Sequence, residues 1–311
     1  MSEKEVTAST GALFGALWKP YDDEIFEQSV GLFRKRFEAN GFDLGWLKGK
    51  KCLDVGCGGG RYCVAMAREG AGEVVGVDVG AEGLEDARRR ARDYPQVSFQ
   101  YGSALELPFG DGEFDFVLSS GVLHHTAYPE AGFREVCRVL RPGGKLYLLL
   151  YSTGGVRWPA VMDYRGALKG VSADELKEVM TAGEFPANKV RTIVDDLKAP
   201  IMNFYTWEYV EKQLRANGIG NIERWTAGRF DHEESLSDMI EDMEWFRRCF
   251  ELGSSAGASS AAFEKALRIC DEYLAAMRKL DELAESGGME KSAAERVIIG
   301  CGHHRLIGEK A

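Results

Sequence analysis

The feature that most constrains this chain is a glycine-rich turn inside the segment KKCLDVGCGGGRY. Four glycines stand within residues 56–60. The apolar run at 51–55 before them predicts a short buried strand, and the pattern at 61–70 after them predicts a helix. A turn with this much backbone freedom, between a buried strand and a helix, is typical of a place where a ligand approaches the bare backbone.

The same alternation continues along the chain. A second helix is predicted at 81–94, and a third ends before the Pro-Gly-Gly at 142–144. Strand and helix alternate at short spacing, which predicts an α/β fold with a parallel sheet covered on both faces. In such sheets ligands bind beyond the carboxyl ends of the strands, where the glycine turn lies. Strands are predicted at 51–55, 73–79, 97–101, 114–120 and 145–151.

The charged residues around the turn limit the chemical classes of ligand that it could bind. A dinucleotide fingerprint would need a third glycine where the chain has Arg61. Instead Asp54 precedes Gly56 and Gly58, and a carboxylate there suits an ammonium group better than a pyrophosphate. Asp78 ends the second strand and can accept hydrogen bonds from ribose hydroxyls. A ribose without a pyrophosphate, joined to a cation, describes S-adenosylmethionine; the alternative is a purely structural glycine turn.

Residues 50–151 resemble the class I S-adenosylmethionine-dependent methyltransferases, in the branch that includes ubiquinone and menaquinone biosynthesis methyltransferases. The segments LDVGCGGGR and GVDVG match the first two motifs of that family. The segment YGSALELPFGDGEFDFVLSSGVLHH matches the third and fourth, and LRPGGKLYLLL matches the one that follows. The resemblance implies a Rossmann-like sheet of seven strands, mostly parallel with an antiparallel last strand, and S-adenosyl-L-methionine as cofactor.

The resemblance also implies a cofactor site. The loop residues and Asp54 would hold the methionine end, Asp78 the ribose, and Val79 would pack on the adenine. Ser103 stands where the family usually has an acid or an amide, so its bond to the adenine would be weaker. The residues expected to bind the cofactor are Asp54, Gly56, Gly58, Gly60, Asp78, Val79, Ser103, Ala104, Ser119 and Tyr21.

The candidate catalytic residues are His124 and His125, which follow the fourth strand where this fold places the reactive methyl group. If the chain is extended there, only one of the two can point into the site, and the resemblance favours His125. His232 is a weaker candidate at the same edge. His303 and His304 are assigned to a strand that runs away from it, and no metal is expected, because adjacent strand residues point to opposite faces.

Composition limits the partners. The net charge is −10 and the pI near 5.2, which argues against binding to a nucleic acid backbone. No apolar run is long enough to predict a membrane span, and the first residues do not resemble a secretory signal. Seven cysteines without a framework pattern favour a reducing, cytoplasmic location. A small-molecule acceptor is therefore expected.

The remaining chain predicts covers and insertions around this core. The last strand is predicted at Ala294–Gly302. The helical insertions are expected to cap the active-site edge and select the acceptor, or to form a homodimer. The predicted segments are an N-terminal helical cover at 1–45, the cofactor-binding core at 46–151, a capping insertion at 152–206, a core helix and sixth strand at 207–227, a helical capping insertion at 228–292, and strand seven with the C-terminus at 293–311.

The predicted function is methyl transfer from S-adenosylmethionine to a small molecule by in-line displacement. Three alternatives remain at this point: an aminopropyl transferase, which would use decarboxylated S-adenosylmethionine; a regulator that binds the cofactor without catalysis; and a nicotinamide reductase, which Arg61 disfavours.

Overall fold

A computed structural model describes residues 9, 11, 23–185, 187–227, 236–255, 258–299 and 302–311. Its internal contacts divide the chain into two compact units. The first unit comprises Met1–Ser152, Pro200–Gly228 and His303–Ala311, and the second comprises Thr153–Ala199 and Arg229–Gly302. Tyr21 and His232, both named above, lie outside the described residues.

The first unit is built on one sheet of seven strands. In chain order the strands are β1 (Lys51–Val55), β2 (Glu73–Asp78), β3 (Val97–Tyr101), β4 (Phe114–Ser120), β5 (Leu140–Tyr151), β6 (Ile219–Trp225) and β7 (His303–Lys310). Their order across the sheet is β3-β2-β1-β4-β5-β7-β6. β1 to β5 pair in parallel, and β7 is antiparallel to β5 and β6. The predicted fold class, a mostly parallel sheet with an antiparallel last strand, is confirmed.

Helices follow the strands as the alternating pattern predicts. In chain order, among the described residues, they are α1 (Asp23–Ala39), α2 (Arg61–Arg68), α3 (Ala81–Arg90), α4 (Pro129–Arg138), α5 (Arg157–Ala167), α6 (Ala173–Ala182), α7 (Ala187–Lys198), α8 (Trp207–Ala216), α9 (Leu236–Ser255), α10 (Ser260–Glu285) and α11 (Lys291–Ile299). The first unit contains α1 to α4 and α8, and the other helices belong to the second unit.

Two apolar clusters cover the two faces of the sheet. On one face, α1 buries Phe33 and Phe37, whose rings stack with centroids 4.1 Å apart. On the other face, α4 and α8 bury Phe133 and Leu214. Both helices place apolar residues three or four positions apart, and the central strands are nearly continuous apolar runs. Both faces of the sheet are therefore covered, and loops leave the sheet at its carboxyl edge.

The second unit has its own core. Tyr164 of α5 packs against Phe246 and Phe250 of α9, with ring centroids 5.5 and 5.2 Å away. Phe263 of α10 is also buried and lies 6.4 Å from the Phe250 ring. The core of the second unit therefore includes aromatic residues of α5, α9 and α10.

The predicted position of the last strand is wrong. Ala294 and the residues up to Ile299 belong to α11, and the strand begins at His303. The segment AAERVII carries helix-forming residues and buries Ala294 and Ile298, four positions apart, which is the spacing of one helix face. The preceding glycines and the apolar pair Ile298–Ile299 are compatible with a strand. The four-residue spacing of the buried positions, however, is that of a helix.

The helix that was predicted to continue to the Pro-Gly-Gly at 142–144 ends at Arg138, and these three residues belong to the start of β5. Among the described residues, no helix is both long and apolar enough to cross a membrane.

Candidate active site

The glycine loop between β1 and α2 contains glycines of two kinds. Gly56, Gly58 and Gly60 all have positive φ, at +75°, +50° and +79°, which favours glycine. A Cβ on Gly56 would lie 2.2 Å from a Val122 methyl carbon, and one on Gly60 would lie 3.0 Å from the Phe99 ring. At Gly58 no atom lies within 4 Å of that position. Packing therefore excludes a side chain at Gly56 and leaves little room for one at Gly60, whereas Gly58 faces open space.

Asp78 joins this loop to the end of β2. Its Oδ2 accepts a hydrogen bond from the Gly58 N–H at 2.8 Å, and its Oδ1 accepts one from the Gly80 N–H at 2.7 Å. Burial raises the pKa of the carboxyl above its usual value, although the two N–H bonds oppose the shift. A carboxylate has about four acceptor positions, so Asp78 keeps acceptor capacity for hydroxyl groups.

Asp54 lies beneath the loop, on β1, and is 2% exposed. Its Oδ2 lies 3.4 Å from the Cys63 thiol. Burial raises the pKa of Asp54 to about 7, against the lowering effects of the Cys63 hydrogen bond and the Arg61 charge. A cationic ligand nearby would favour the ionised form, because opposite charges lower the pKa of an acid.

The remaining predicted cofactor residues lie around the same edge. Val79 is half-buried, and Gly11 of the N-terminal segment packs on it: a Cβ there would lie 3.0 Å from the Val79 carbonyl oxygen. The Ser103 hydroxyl accepts a bond from the Leu105 N–H at 3.1 Å, next to half-buried Ala104. Ser119 of β4 is buried, and its hydroxyl has no hydrogen-bond partner among the described residues.

His124 and His125 lie on a 3-10 turn, Leu123–His125, directly after β4. The backbone at His124 and His125 is therefore not extended, so the two side chains need not point in opposite directions. The turn brings both rings together, with centroids 4.3 Å apart. Both side chains are buried.

The hydrogen bonds of the two rings indicate opposite tautomers. The Tyr151 N–H points at His124 Nδ1, 3.3 Å away, so this nitrogen accepts and the proton belongs on Nε2. Burial holds the pKa of His124 well below its usual value, and His124 is neutral. His125 Nδ1 lies 2.8 Å from the Ile201 carbonyl oxygen, which can only accept, so Nδ1 carries a proton. In neutral His125 the lone pair is on Nε2.

Sequence reasoning missed the segment that holds these histidines, residues 200–205, which we call the return segment. It runs beside the end of β5, where the Tyr205 N–H donates to the Tyr151 carbonyl at 3.1 Å. It also contacts the histidine turn, where the Asn203 N–H donates to the His124 carbonyl at 2.8 Å. The sequence of this segment gives no indication that it contacts residues nearly eighty positions earlier in the chain.

His303 and His304 lie at this edge too, because the strand that runs away from it begins at His303. β7 is antiparallel, so it begins where β5 ends, and His303 pairs with Tyr151. The two side chains contact different groups: the His303 ring lies 5.2 Å from the Tyr151 ring, and His304 Nε2 lies 2.8 Å from the Tyr205 carbonyl.

Comparisons with known proteins define the class. Residues 53–148 match the family model described as a methyltransferase domain. The chain is 32% identical over 199 residues to 27-O-demethylrifamycin SV methyltransferase from Amycolatopsis mediterranei, covering 58% of this chain and 71% of that one. It is 36% identical over 126 residues to demethylmenaquinone methyltransferase from Staphylococcus aureus, covering 40% of this chain and 51% of that one. The matched share of the curated relatives' own lengths ranges from 30% to 71% across the first three.

A solved structure shares the fold. It is a chain of the complex between the Haloferax volcanii Trm112 methyltransferase activator and the putative methyltransferase. The TM-score is 0.50 at 16% identity, over 96% of this chain and 97% of that one.

The chain belongs to the class I S-adenosylmethionine-dependent methyltransferases. The cofactor of this family, S-adenosylmethionine, fits the residues present. The open backbone at Gly58 gives space for it, the Asp78 carboxylate offers acceptors for ribose hydroxyls, and Asp54 offers a negative charge for an ammonium group. The roles of the individual site residues remain predictions.

Proposed function

We propose that this protein methylates a hydroxyl oxygen of a small-molecule acceptor, with His125 as the general base. The observation that carries the proposal is the 2.8 Å contact between His125 Nδ1 and the Ile201 carbonyl. A histidine whose Nδ1–H is held by a fixed acceptor presents the lone pair of Nε2, which is the arrangement of a general base.

Asp54, Gly56, Gly58 and Asp78 would hold the cofactor at the glycine loop. When bound, S-adenosylmethionine supplies an electrophilic methyl group on a sulfonium. The loop would contribute the open space beside Gly58, since the N–H groups of Gly56, Gly58 and Gly60 already donate hydrogen bonds within the protein. Alignment of the acceptor oxygen supplies most of the rate enhancement of such a displacement.

His125 would take the acceptor's proton on Nε2 while Nδ1–H stays bonded to Ile201. The carbonyl then stabilises the imidazolium that forms, since its dipole points at the positive ring. His124 is unsuited to this role: its Nδ1 accepts the Tyr151 N–H, its Nε2 carries the proton, and its pKa is well below the usual range. General bases of this kind contribute about 10²–10⁴-fold.

The names of two relatives support a small-molecule acceptor, and one of them names an oxygen as the methylated atom. The names of the two relatives describe a 27-O-demethylated rifamycin and a demethylated menaquinone as their substrates. Neither an aminopropyl transferase nor a regulator is favoured, because the matched relatives are methyltransferases. An acceptor that carries no acidic proton would not need His125 as a base, and this is the second candidate.

The test combines a panel of acceptors with matched histidine variants. Purified protein is incubated with S-adenosylmethionine and, separately, catechol, 27-O-demethylrifamycin SV and demethylmenaquinone, and methylated product is measured by mass spectrometry. For the acceptor that is turned over, His125→Asn should lower the rate about 10²-fold or more at neutral pH. Cofactor affinity should stay within about threefold of the unmodified protein, since His125 is not assigned to the cofactor.

His303→Asn is the control, because it removes a ring from the same edge. It should leave the rate within about threefold and keep the histidine limb of the pH–rate profile. Equal rates for His125→Asn and the unmodified protein would exclude His125 as a base and favour the acceptor without an acidic proton.

We also propose a cytoplasmic location and a homodimer through the helical insertion. The six described cysteines are all free thiols, in keeping with a reducing compartment. In the second unit, Leu252, Leu283 and Val297 are large apolar residues exposed to solvent at 49%, 39% and 51%. Sedimentation of the unmodified protein and a Leu252→Asp, Val297→Asp variant tests the dimer; two monomeric species would exclude it.

A further inference from the structure

We propose that Asn203 is a positioning residue that holds His125 in its Nδ1–H tautomer. The inference rests on the proposed function for its catalytic meaning, but the tautomer itself can be measured without turnover. Among the described residues, the hydrogen bonds of Asn203 go to the His124 and Thr126 carbonyls and not to the His125 ring. Asn203 acts through the placement of the return segment, residues 200–205, against the histidine turn.

Asn203 makes two hydrogen bonds to this turn and a third to Thr126, the residue that follows it. Its backbone N–H donates to the His124 carbonyl at 2.8 Å. Its side-chain Nδ2 donates to the same carbonyl at 3.2 Å and to the Thr126 carbonyl at 2.9 Å. Both side-chain partners are carbonyl oxygens, which fixes the orientation of the amide, since only its nitrogen can donate.

These bonds set which carbonyl faces the His125 ring. The return segment contacts the turn at two points: Asn203 binds the carbonyls on either side of His125, and Ile201, two residues earlier, accepts from its ring. Ile201 lies two residues before Asn203 in the chain, so the bonds that hold Asn203 also limit where the Ile201 carbonyl can point.

Loss of the amide would weaken this placement. The backbone bond of Asn203 remains in an alanine variant, but the Thr126 carbonyl loses its donor and the two carbonyls are no longer tied together. The hydrogen bond between His125 Nδ1–H and the Ile201 carbonyl is then weaker, so it favours the Nδ1–H tautomer less. Both neutral tautomers of His125 become populated. A base whose lone pair is on Nε2 only part of the time is also a slower base.

The experiment reads the tautomer by nitrogen NMR of protein labelled at its histidine ring nitrogens, saturated with S-adenosylhomocysteine at pH 8. The His125 signals are assigned by their absence from the His125→Asn protein. In the unmodified protein Nδ1 should resonate as a protonated nitrogen and Nε2 as an unprotonated one. In Asn203→Ala the two shifts should move toward each other, as expected of a tautomer mixture.

Asn40→Ala is the matched control, because Asn40 also donates from Nδ2 to two carbonyls, those of Arg36 and Ala227, within the same unit. It should lose stability in the same way without changing the His125 signals. Asn203→Ser, which keeps a short donor, serves as a second variant if the alanine protein does not fold, and its shifts should fall between those of the unmodified protein and a full mixture.

Unchanged His125 shifts in a folded Asn203 variant would overturn the proposal, even if His125 proves to be the base. The kinetic counterpart is a double-mutant cycle with the acceptor identified above. Asn203→Ala should lower kcat about tenfold in the unmodified background and leave it unchanged in the His125→Asn background. Equal losses in both backgrounds would also overturn it, since Asn203 would then act by another route. Shifted tautomers together with a fully active His125→Asn protein would support the positioning role and refute the proposed base.

Discussion

At the scale of single residues, the glycine loop separates two uses of one residue type. Gly56 and Gly60 both have positive φ, and a Cβ would clash with Val122 at the first and crowd Phe99 at the second. Gly58 has the same kind of backbone conformation, with φ of +50°, but faces open space. Its positive φ still favours glycine, and the lack of a side chain leaves this side of the loop open.

This difference gives a prediction. Gly58→Ala should fold, with a strain cost of about 1–2 kcal/mol from the positive φ, but bind S-adenosylhomocysteine at least tenfold more weakly. Isothermal titration calorimetry measures the affinity. Gly41→Ala is the control, because Gly41 also has positive φ, +72°, with no atom within 4 Å of its Cβ position.

Both variants should lose similar thermal stability, and only Gly58→Ala should lose affinity. Equal affinities in the two variants would mean that the open space at Gly58 is not where the cofactor lies, and the assignment of the loop would have to be abandoned.

How much of the site the sequence could predict depends on where the partners lie. Asp78 and the glycines were identifiable because their spacing is local and their chemistry is specific. The tautomers of His124 and His125 were not, because they depend on Tyr151 and Ile201, 27 and 76 positions away. Every residue has a backbone carbonyl, so a hydrogen bond to one does not depend on residue type. A sequence pattern therefore cannot predict such a bond.

At the scale of elements, the sheet was predictable and its last strand was not. β1, β2 and β4 are short apolar runs between glycine turns, and their pairing follows from the rule for parallel strands. The strand His303–Lys310 begins with two histidines. Because these residues are polar, the sequence gives no indication that the strand starts there, at the edge of the sheet. The strand predicted at 294–302 rested on the number of apolar residues there. The spacing of these residues is that of a helix.

Helix contact in the second unit gives a prediction at this scale. Gly253 of α9 lies against the Phe263 ring of α10, where an added Cβ would be 2.5 Å from a ring carbon. Alanine normally stabilises a helix relative to glycine by about 0.5–1 kcal/mol. Here overpacking should outweigh this gain, and Gly253→Ala should lower the unfolding free energy by roughly 1–2 kcal/mol.

Gly166→Ala is the matched comparison, because Gly166 lies in α5 of the same unit and has no atom within 4 Å of its Cβ position. It should raise stability by about 0.5–1 kcal/mol. Urea unfolding followed by circular dichroism measures both. A stabilised Gly253→Ala protein would show that α9 and α10 can separate enough to admit a methyl group.

At the scale of the whole molecule, every cofactor-site residue that the structure describes belongs to the first unit, as does the histidine turn. The second unit has a separate aromatic core made by α5, α9 and α10. The prediction that the insertions select the acceptor gives the second unit a role of its own, and whether the two units unfold separately can be measured.

We therefore expect calorimetry to resolve two unfolding transitions. A ligand that binds only one native unit stabilises that unit by mass action, by about 2.7 kcal/mol at a hundred times Kd. S-adenosylhomocysteine at that concentration should raise one transition by about 5–10 °C and leave the other in place. Gly253→Ala should lower the transition that the ligand leaves in place, because Gly253 lies in the second unit, and should leave the cofactor affinity unchanged. A single transition moved by both the ligand and the substitution would show that the chain unfolds as one cooperative body, and that the insertions are part of the stability of the cofactor site itself.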